Sequence, residues 1–377
     1  MPEKKKFFLC YFESTRQCNI SCRYCMTKPP SGKPRNRKSE LSTGEIKCLV
    51  IDEVRKYSSH SAIAFSGGEH LLRDDAYELL GYTARSGLWS FINTNGRLLN
   101  RKTVSRIKET TGGRVIFGLP LNSLTGRIHK WGRDEGLRTI VRAARVCRKE
   151  GVNFFFILTV SKNNLGTLRK TIDFLKSKQV PVLRSPFVLR GMGELHPELL
   201  FDRKDMEEVI QPALRDYSLS YISYTPFFAS PEYLDELWKE LDVSIEQFGC
   251  QAAKGFVGIS AEGDIAPCVH LLDSEVSCGS VRDRPLSETL RDNEVLLELR
   301  SRGSLKGKCG VCRYKHTCGG CRALAYYSTG DYLSEDPSCF FEPEDGDSRS
   351  GLESVHNENV SEFIGFIKDR EPWSILF

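Results

Sequence analysis

From residue 7 to about 200 the chain alternates short apolar runs with longer stretches whose apolar positions recur at helical spacing. The runs Phe7 to Phe12, Ala62 to Ser66, Trp89 to Asn93, Val115 to Leu119, Asn153 to Val160 and Val180 to Ser185 read as strands. Between them helices are predicted near 43–57, 74–86, 101–110, 136–150 and 164–178, several opening at capping residues such as Ser42, Asp74 and Asn164. Repeated βα units of this kind argue for a parallel sheet wrapped by helices, an α/β fold. Periodicity alone does not separate an open doubly wound sheet from a barrel. Beyond residue 200 the pattern changes. Residues 200–248, with Phe227, Phe228, Tyr233 and Trp238, read as a bridge whose aromatics serve a core. The segment beyond 346 is acidic, then amphipathic from about Val360 to Ile367.

Composition narrows the class. Fourteen cysteines in 377 residues is a high content, yet the chain begins Met-Pro-Glu-Lys-Lys-Lys without an apolar leader. No run approaches the roughly eighteen apolar residues of a membrane span. A secreted disulfide scaffold is therefore disfavoured, and clustered cysteines in a reducing cytoplasm point to metal. The formal net charge of +5 is compatible with an acidic substrate and says little more. Apart from Lys28 to Lys38, the basic residues do not gather with interleaved aromatics, so neither nucleic acid nor membrane is expected as a partner. The 28–38 run, rich in Pro, Gly and basic residues, reads as a loop able to act as a lid.

The most informative pattern is Cys18, Cys22 and Cys25, a C-x3-C-x2-C loop directly after the first strand, with the aromatic Tyr24 before the third cysteine. A cubane of four irons takes four ligands, so three thiolates leave one iron open to an exogenous ligand. Zinc would need a fourth nearby ligand, and the following residues offer neither Cys nor His. Loop and context resemble the signature of radical S-adenosylmethionine (SAM) enzymes. The resemblance implies that Cys18, Cys22 and Cys25 hold a 4Fe-4S cluster whose open iron is chelated by the amino and carboxylate groups of SAM. It also implies a partial (β/α)6, TIM-like barrel with its active site at the carboxyl ends of the strands. At the end of the second strand Gly67-Gly68-Glu69 resembles the family's GGE motif, which holds the SAM amino group, with His70 where proline is usual. Asn95, in Asn93-Thr94-Asn95-Gly96, matches a position lining the cofactor pocket, and Tyr24 belongs to the same pocket. After the fourth strand Pro120-Leu121-Asn122-Ser123 departs from the family's Ser-Leu-Asp-Gly. His129 and Arg133 resemble its H-x3-R segment, where the arginine pairs with the SAM carboxylate.

A second cysteine group lies C-terminal: Cys250 and Cys268 around a predicted hairpin turn at Gly263-Asp264, then Cys309, Cys312, Cys318 and Cys321, and finally Cys339. The run from 309 to 321 taken alone also fits a zinc ribbon. Seven thiolates are too many for one cluster, and the whole pattern resembles the SPASM extension, a small iron-sulfur domain with two auxiliary 4Fe-4S clusters. The resemblance assigns Cys309, Cys312, Cys318 and Cys339 to an outer cluster and Cys250, Cys268 and Cys321 to an inner one. The inner cluster's fourth position stays open among Cys278, His270, a carboxylate or substrate. Cys10, Cys48 and Cys147 are expected to be small buried hydrophobes, and Cys278 either that, a ligand or a hydrogen-atom donor. The expected domains are a radical SAM barrel at 1–200, a bridge at 201–248, a SPASM domain at 249–345 and a tail at 346–377.

In such an enzyme one radical cluster cleaves SAM to a 5'-deoxyadenosyl radical, and two auxiliary clusters offer an exit for the electron released when a substrate radical becomes a closed-shell product. The implied function is oxidative modification of an unactivated C–H position, including decarboxylation. The cysteine-rich stretch at 305–339 resembles members that act on tetrapyrroles in alternative haem pathways and members that mature ribosomal peptides. The short segment before the first strand leaves no room for a fused peptide-recognition domain, which favours the tetrapyrrole reading over a peptide maturase using a separate recognition partner. Arg184, Arg190 and Gly191-Met192-Gly193 are candidates to face an acidic substrate. A ferredoxin or flavodoxin is the expected electron donor. A redox-neutral epimerase and a plain iron-sulfur electron carrier are the alternatives. The carrier would have no need of Gly67-Gly68-Glu69.

Overall fold

The computed structural model describes residues 8–28, 39–59, 61–178, 180–214, 249–316 and 318–343. The 29–38 part of the predicted loop, the aromatics of the 215–248 segment and the tail from 344 lie outside the described residues.

The six expected strands form, as β1 (Phe8–Thr15), β2 (Ser61–Gly67), β3 (Trp89–Asn93), β4 (Val115–Pro120), β5 (Phe154–Val160) and β6 (Val182–Pro186). Each pairs in parallel with the next, from Phe8 opposite Ser61 through to Val160 opposite Pro186. β1 runs three residues past its expected end. The charge of Glu13 ends the apolar run in sequence, but in the fold Glu13 is buried and neutralised by Arg190, so the ladder continues.

Two further strands, β7 (Phe256–Ile259) and β8 (Ile265–Ala266), make the hairpin expected around Gly263. Their position was not legible in sequence: β7 joins the outer edge of β1 in parallel, Leu9 opposite Phe256 and Phe12 opposite Ile259. The sheet order is β6-β5-β4-β3-β2-β1-β7-β8, an open sheet curled into a half-barrel rather than a closed one.

Alternation along the strands separates two apolar surfaces. Phe8, Cys10 and Phe12 join the large core beneath the helices, with Ile63, Phe65, Phe117 and Phe156. Leu9 and its neighbours Ala62, Ala64, Phe91, Ile116 and Phe155 form a separate cluster on the other face, the floor of the concave side.

The helices fall where the spacing places them, at 43–57, Ala76–Arg85, Arg101–Thr111, Leu137–Lys149 and Leu165–Ser177. Ser42 caps the first through a capping box with Glu45. Asp74 is not a cap: the helix starts at Ala76 and Asp75 occupies the N-cap position, its carboxylate held by Arg73 and Thr43. Asn164 precedes its helix but spends its side chain on Ser161, Asn122 and Thr159. Cys10 and Cys147 are buried as expected. Cys48 is exposed, because it lies on the outward side of the 43–57 helix whose Ile46, Val50 and Ile51 face the core. Among the described residues no helix is long and apolar enough to cross a membrane.

Candidate functional site

The loop carrying Cys18, Cys22 and Cys25 leaves the end of β1, and the Gly67-Gly68-Glu69 turn leaves the adjacent end of β2. Two backbone hydrogen bonds clamp them together: Gly68 N donates to Thr15 O and Glu69 N to Gln17 O, both at 2.7 Å. The glycines are required by this clamp. A Cβ on Gly68 would lie 1.9 Å from Gln17 O, and one on Gly67, at φ +99°, 2.4 Å from Thr15 O. The Glu69 carboxylate accepts from Thr94 Oγ1 at 2.9 Å and Asn95 N at 3.0 Å, tying the β3 loop to the same platform. Burial pushes its pKa up to about 7, against the hydrogen bonds from Asn95, Thr94 and Leu71.

Asn95 then reaches the cysteine loop, its Nδ2 donating to Asn19 Oδ1 at 2.8 Å and lying 3.9 Å from Cys18 Sγ. Tyr24 is buried against Phe187 and Trp131, and its hydroxyl meets the Asn122 amide. Gly132 leaves space for that ring, since a Cβ there would lie 2.2 Å from Tyr24 Cε1. Burial works against the charge on Arg133, yet Cys22, Tyr24 and Cys25 hold its pKa above the ordinary value. Its Nε has no hydrogen-bond partner among the described residues. His129 stands beside it as a neutral base: burial, then Arg133, lowers its pKa to about 4, and its Nδ1 accepts from Asn122 N at 3.3 Å.

The remaining cysteines separate into two groups. Cys318 has Cys339, Cys309 and Cys312 as neighbours, whereas Cys321 has the Asp336 carboxylate and then Cys250 and Cys268. Burial raises Cys268 and Cys339 to about 12 and Cys318 and Cys321 well above their ordinary value. Such thiols ionise only when a cation compensates, as a metal ligand does. A zinc ribbon would unite Cys309, Cys312, Cys318 and Cys321; instead Cys321 turns away to the other group. Among the described residues no three such side chains converge tightly enough for a single metal ion.

One cavity of about 1890 Å³ is lined both by Cys18, Cys22 and Cys25 and by Cys250, Cys268 and Cys321. Tyr24, Gly67, Gly68, Asn95 and Arg133 also line it, over a floor that includes Leu9, Ala64, Phe91 and Phe155.

A family model described as the Radical SAM superfamily matches residues 12–175, and one described as an iron-sulfur cluster-binding (SPASM) domain matches 250–322. The AdoMet-dependent heme synthase of Methanosarcina barkeri is 31% identical over 88% of this chain and 96% of its own. The chain belongs to the radical SAM superfamily. A pre-heme d1 synthase from Dinoroseobacter shibae is 25% identical over 95% of this chain and 91% of its own. Among solved structures, SuiB of Streptococcus suis bound to the precursor peptide SuiA superposes with a TM-score of 0.68, at 17% identity over 89% of this chain and 76% of that one. Native anSMEcpe with bound AdoMet does so at 0.65, at 16% identity over 96% of both chains. These two likenesses speak for the fold.

As a radical SAM/SPASM enzyme the chain uses SAM and iron-sulfur clusters, and its residues fit them. Three thiols line a cavity large enough for a cofactor and a second large molecule. The unpartnered Arg133 Nε offers a donor for an anionic group beside Cys22.

At two places in the radical SAM site the structure supplies partners that the sequence did not reveal. Glu13 (0% exposed) and Arg190 (1% exposed) form a buried two-armed pair at 2.7 and 3.1 Å, extended by Asp273, Arg16 and Glu262. Arg190 thus commits both Nη groups to Glu13, Asp273 and Val269 O, and its buried Nε alone lacks a partner among the described residues. Next to it Met192 N donates to Cys25 O at 2.9 Å, so the pair braces the cysteine loop against the SPASM region. The second feature is His270, which spans from Cys268 Sγ, 3.7 Å from its Nδ1, to Ser185 Oγ, 3.0 Å from its Nε2, on the cavity wall. Cys278 is buried in the main core, with Arg300 as the charge that acts on it.

Proposed function

We propose that this enzyme oxidatively modifies an acid side chain of a tetrapyrrole, removing a hydrogen atom and carbon dioxide. The observation that carries the reading is the single cavity lined both by Cys18, Cys22 and Cys25 and by Cys250, Cys268 and Cys321. Substrate held there touches both a place where a hydrogen atom is removed and a place that can accept an electron. The volume is about twice the upper end of ordinary ligand pockets, which suits a cofactor together with a macrocycle. The near full-length similarity to the Methanosarcina barkeri heme synthase supports the substrate class.

In this reading the first triplet holds the radical cluster, Cys250, Cys268 and Cys321 the inner auxiliary cluster and Cys309, Cys312, Cys318 and Cys339 the outer one. Bound there, the three 4Fe-4S clusters and SAM supply a 5'-deoxyadenosyl radical and an acceptor for the second electron. Arg133 binds the SAM carboxylate, and Asn95, Tyr24 and the backbone of Gly67 and Gly68 shape the adjacent wall. Glu69 acts from behind that wall, orienting Asn95 through its backbone amide. The apolar floor of Leu9, Ala64, Phe91 and Phe155 excludes water and offers an apolar surface to a macrocycle. A low-potential donor of the ferredoxin or flavodoxin type supplies the first electron.

The test is anaerobic incubation of the reconstituted enzyme with SAM, a reductant and an iron porphyrin bearing propionate side chains. Each side chain converted should lose carbon dioxide and two hydrogens, with one 5'-deoxyadenosine formed. Formation of 5'-deoxyadenosine with a porphyrin of unchanged mass would refute the substrate class and turn attention to peptides, while leaving the family untouched.

A further inference from the structure

Two arginines are wholly buried between the auxiliary cysteine groups, Arg302 (1% exposed) and Arg322 (0% exposed). Arg322 donates through Nη1 to Tyr332 O and Ser334 O, while its Nη2 lies 3.6 Å from Cys309 Sγ in the outer group. Arg302 spends Nη2 on Cys250 O. Its Nε and Nη1 have no partner among the described residues. The groups acting on its charge are Cys250 of the inner set, Arg322, and Cys318 of the outer set.

The local chain is built around these side chains. Gly319, at φ +69°, leaves room for Arg302: a Cβ there would lie 2.7 Å from Arg302 Cζ. Gly320, at φ +59°, does the same for Arg322 and Cys309, whose Nη2 and Sγ would lie 2.6 and 2.9 Å from its Cβ. Arg302 itself adopts a left-handed φ of 58°, a conformation that a non-glycine residue occupies at a cost. A buried guanidinium without an anion is strongly unfavourable. Here two such cations share one region of the fold with a single buried carboxylate, Asp336, which stands beside Arg322 at Gly320 and accepts from Cys321 N, while the unpartnered N–H groups of Arg302 lie near Cys250 and Cys318.

We infer that Arg302, with Arg322, is a tuning pair for the auxiliary clusters. Its charge and N–H groups offset the negative charge of the cluster-bound thiolates and raise the clusters' reduction potentials, making them better electron acceptors. Hydrogen bonds to sulfur and net local charge are the recognised protein levers on such potentials. The inference rests on the assignment of two auxiliary clusters to the seven C-terminal cysteines.

The experiment uses the full chain with Cys18, Cys22 and Cys25 changed to Ala, so that only auxiliary clusters contribute, and compares it with the same chain carrying Arg302→Gln or Arg302→Lys. Iron, sulfide and redox titrations followed by electron paramagnetic resonance are measured on each. Arg302→Gln with unchanged iron should shift at least one midpoint potential to more negative values, and Arg302→Lys should shift it less. If Gln loses iron and Lys keeps it, the Lys variant decides: with the charge kept but the fork of N–H donors lost it should still shift a midpoint to more negative values, and unchanged midpoints there would overturn the inference. Unchanged midpoints in an iron-replete Gln variant would overturn the inference, as would loss of iron from both variants, which would make the arginine a builder of the site rather than a tuner. A parent chain holding about four irons instead of about eight would refute the two-cluster assignment itself, a distinguishable failure.

Discussion

Arg190→Met removes the cation that neutralises Glu13 at the point where the cysteine loop meets the SPASM region. Breaking one side of a buried ion pair costs about 3–5 kcal/mol, because the surviving charge stays in low dielectric. Here Glu13 keeps a second partner, Arg16 at 3.1 Å, itself shared with Glu262 and Asp273. That places the expected cost at the lower end, about 3 kcal/mol, or roughly 10²-fold in a local opening equilibrium at 1.4 kcal/mol per tenfold. A chain of this size with bound clusters does not unfold in two states, so the measurement must be local. Amide hydrogen exchange of the reconstituted enzyme suits it, read at Met192, which donates to Cys25 O, and Leu271, which donates to Cys268 O. Both should exchange about 10²-fold faster in Arg190→Met. Arg190→Lys keeps a charge but loses the fork to the two Glu13 oxygens and should fall between. The double variant Glu13→Leu/Arg190→Met should be less perturbed than Arg190→Met, since no uncompensated carboxylate remains. Exchange at Met192 unchanged in Arg190→Met would refute the bracing role.

Three further outcomes follow from the geometry. Gly68→Ala puts a Cβ against Gln17 O, so the clamp between the two loops must open; we expect a loss of about four irons from the reconstituted protein, with the auxiliary clusters intact. Glu69 holds its proton more tightly folded, at about 7, than its ordinary 4.5, so its contribution to stability is complete below the lower value and lost as pH rises through the higher. Thermal unfolding of SAM-free enzyme should show that fall, Glu69→Gln should flatten it, and identical slopes would contradict the burial argument. Cys321→Ala and Cys309→Ala should each remove a different auxiliary signal from the electron paramagnetic resonance spectrum, whereas loss of the same signal from both would revive a single shared centre.

Local pattern carried the elements well because β1 to β6 are buried runs separated by helices with a clear apolar face. The family was carried by cysteine spacing, since the triplet stands in one loop at the end of β1 and the matched iron-sulfur domain covers six of the seven later cysteines. Relations set by the third dimension were not legible. Nothing in Phe256–Ile259 says that its neighbour is β1, and a hairpin reading was complete without it. Glu13 looked like the end of a strand because its partner lies 177 residues away. Gly67 and Gly68 suggested close approach to a ligand, and the structure adds that they first approach the chain itself. Arg302 and Arg322 look like ordinary surface charges until their burial is seen, and Cys48 was misjudged because composition does not tell which side of a helix a cysteine occupies.

The parallel pairing of β7 with β1 makes the N-terminal half dependent on the C-terminal one. A chain ended before residue 249 would keep six strands but bare the N–H and C=O groups of Leu9 to Phe12, and with them the flank of the strand that feeds the cysteine loop. Such an unpaired, apolar edge invites pairing with another molecule. Attempts to isolate the SAM-cleaving half as a minimal catalyst should therefore yield aggregates unless a surrogate strand is supplied along that edge.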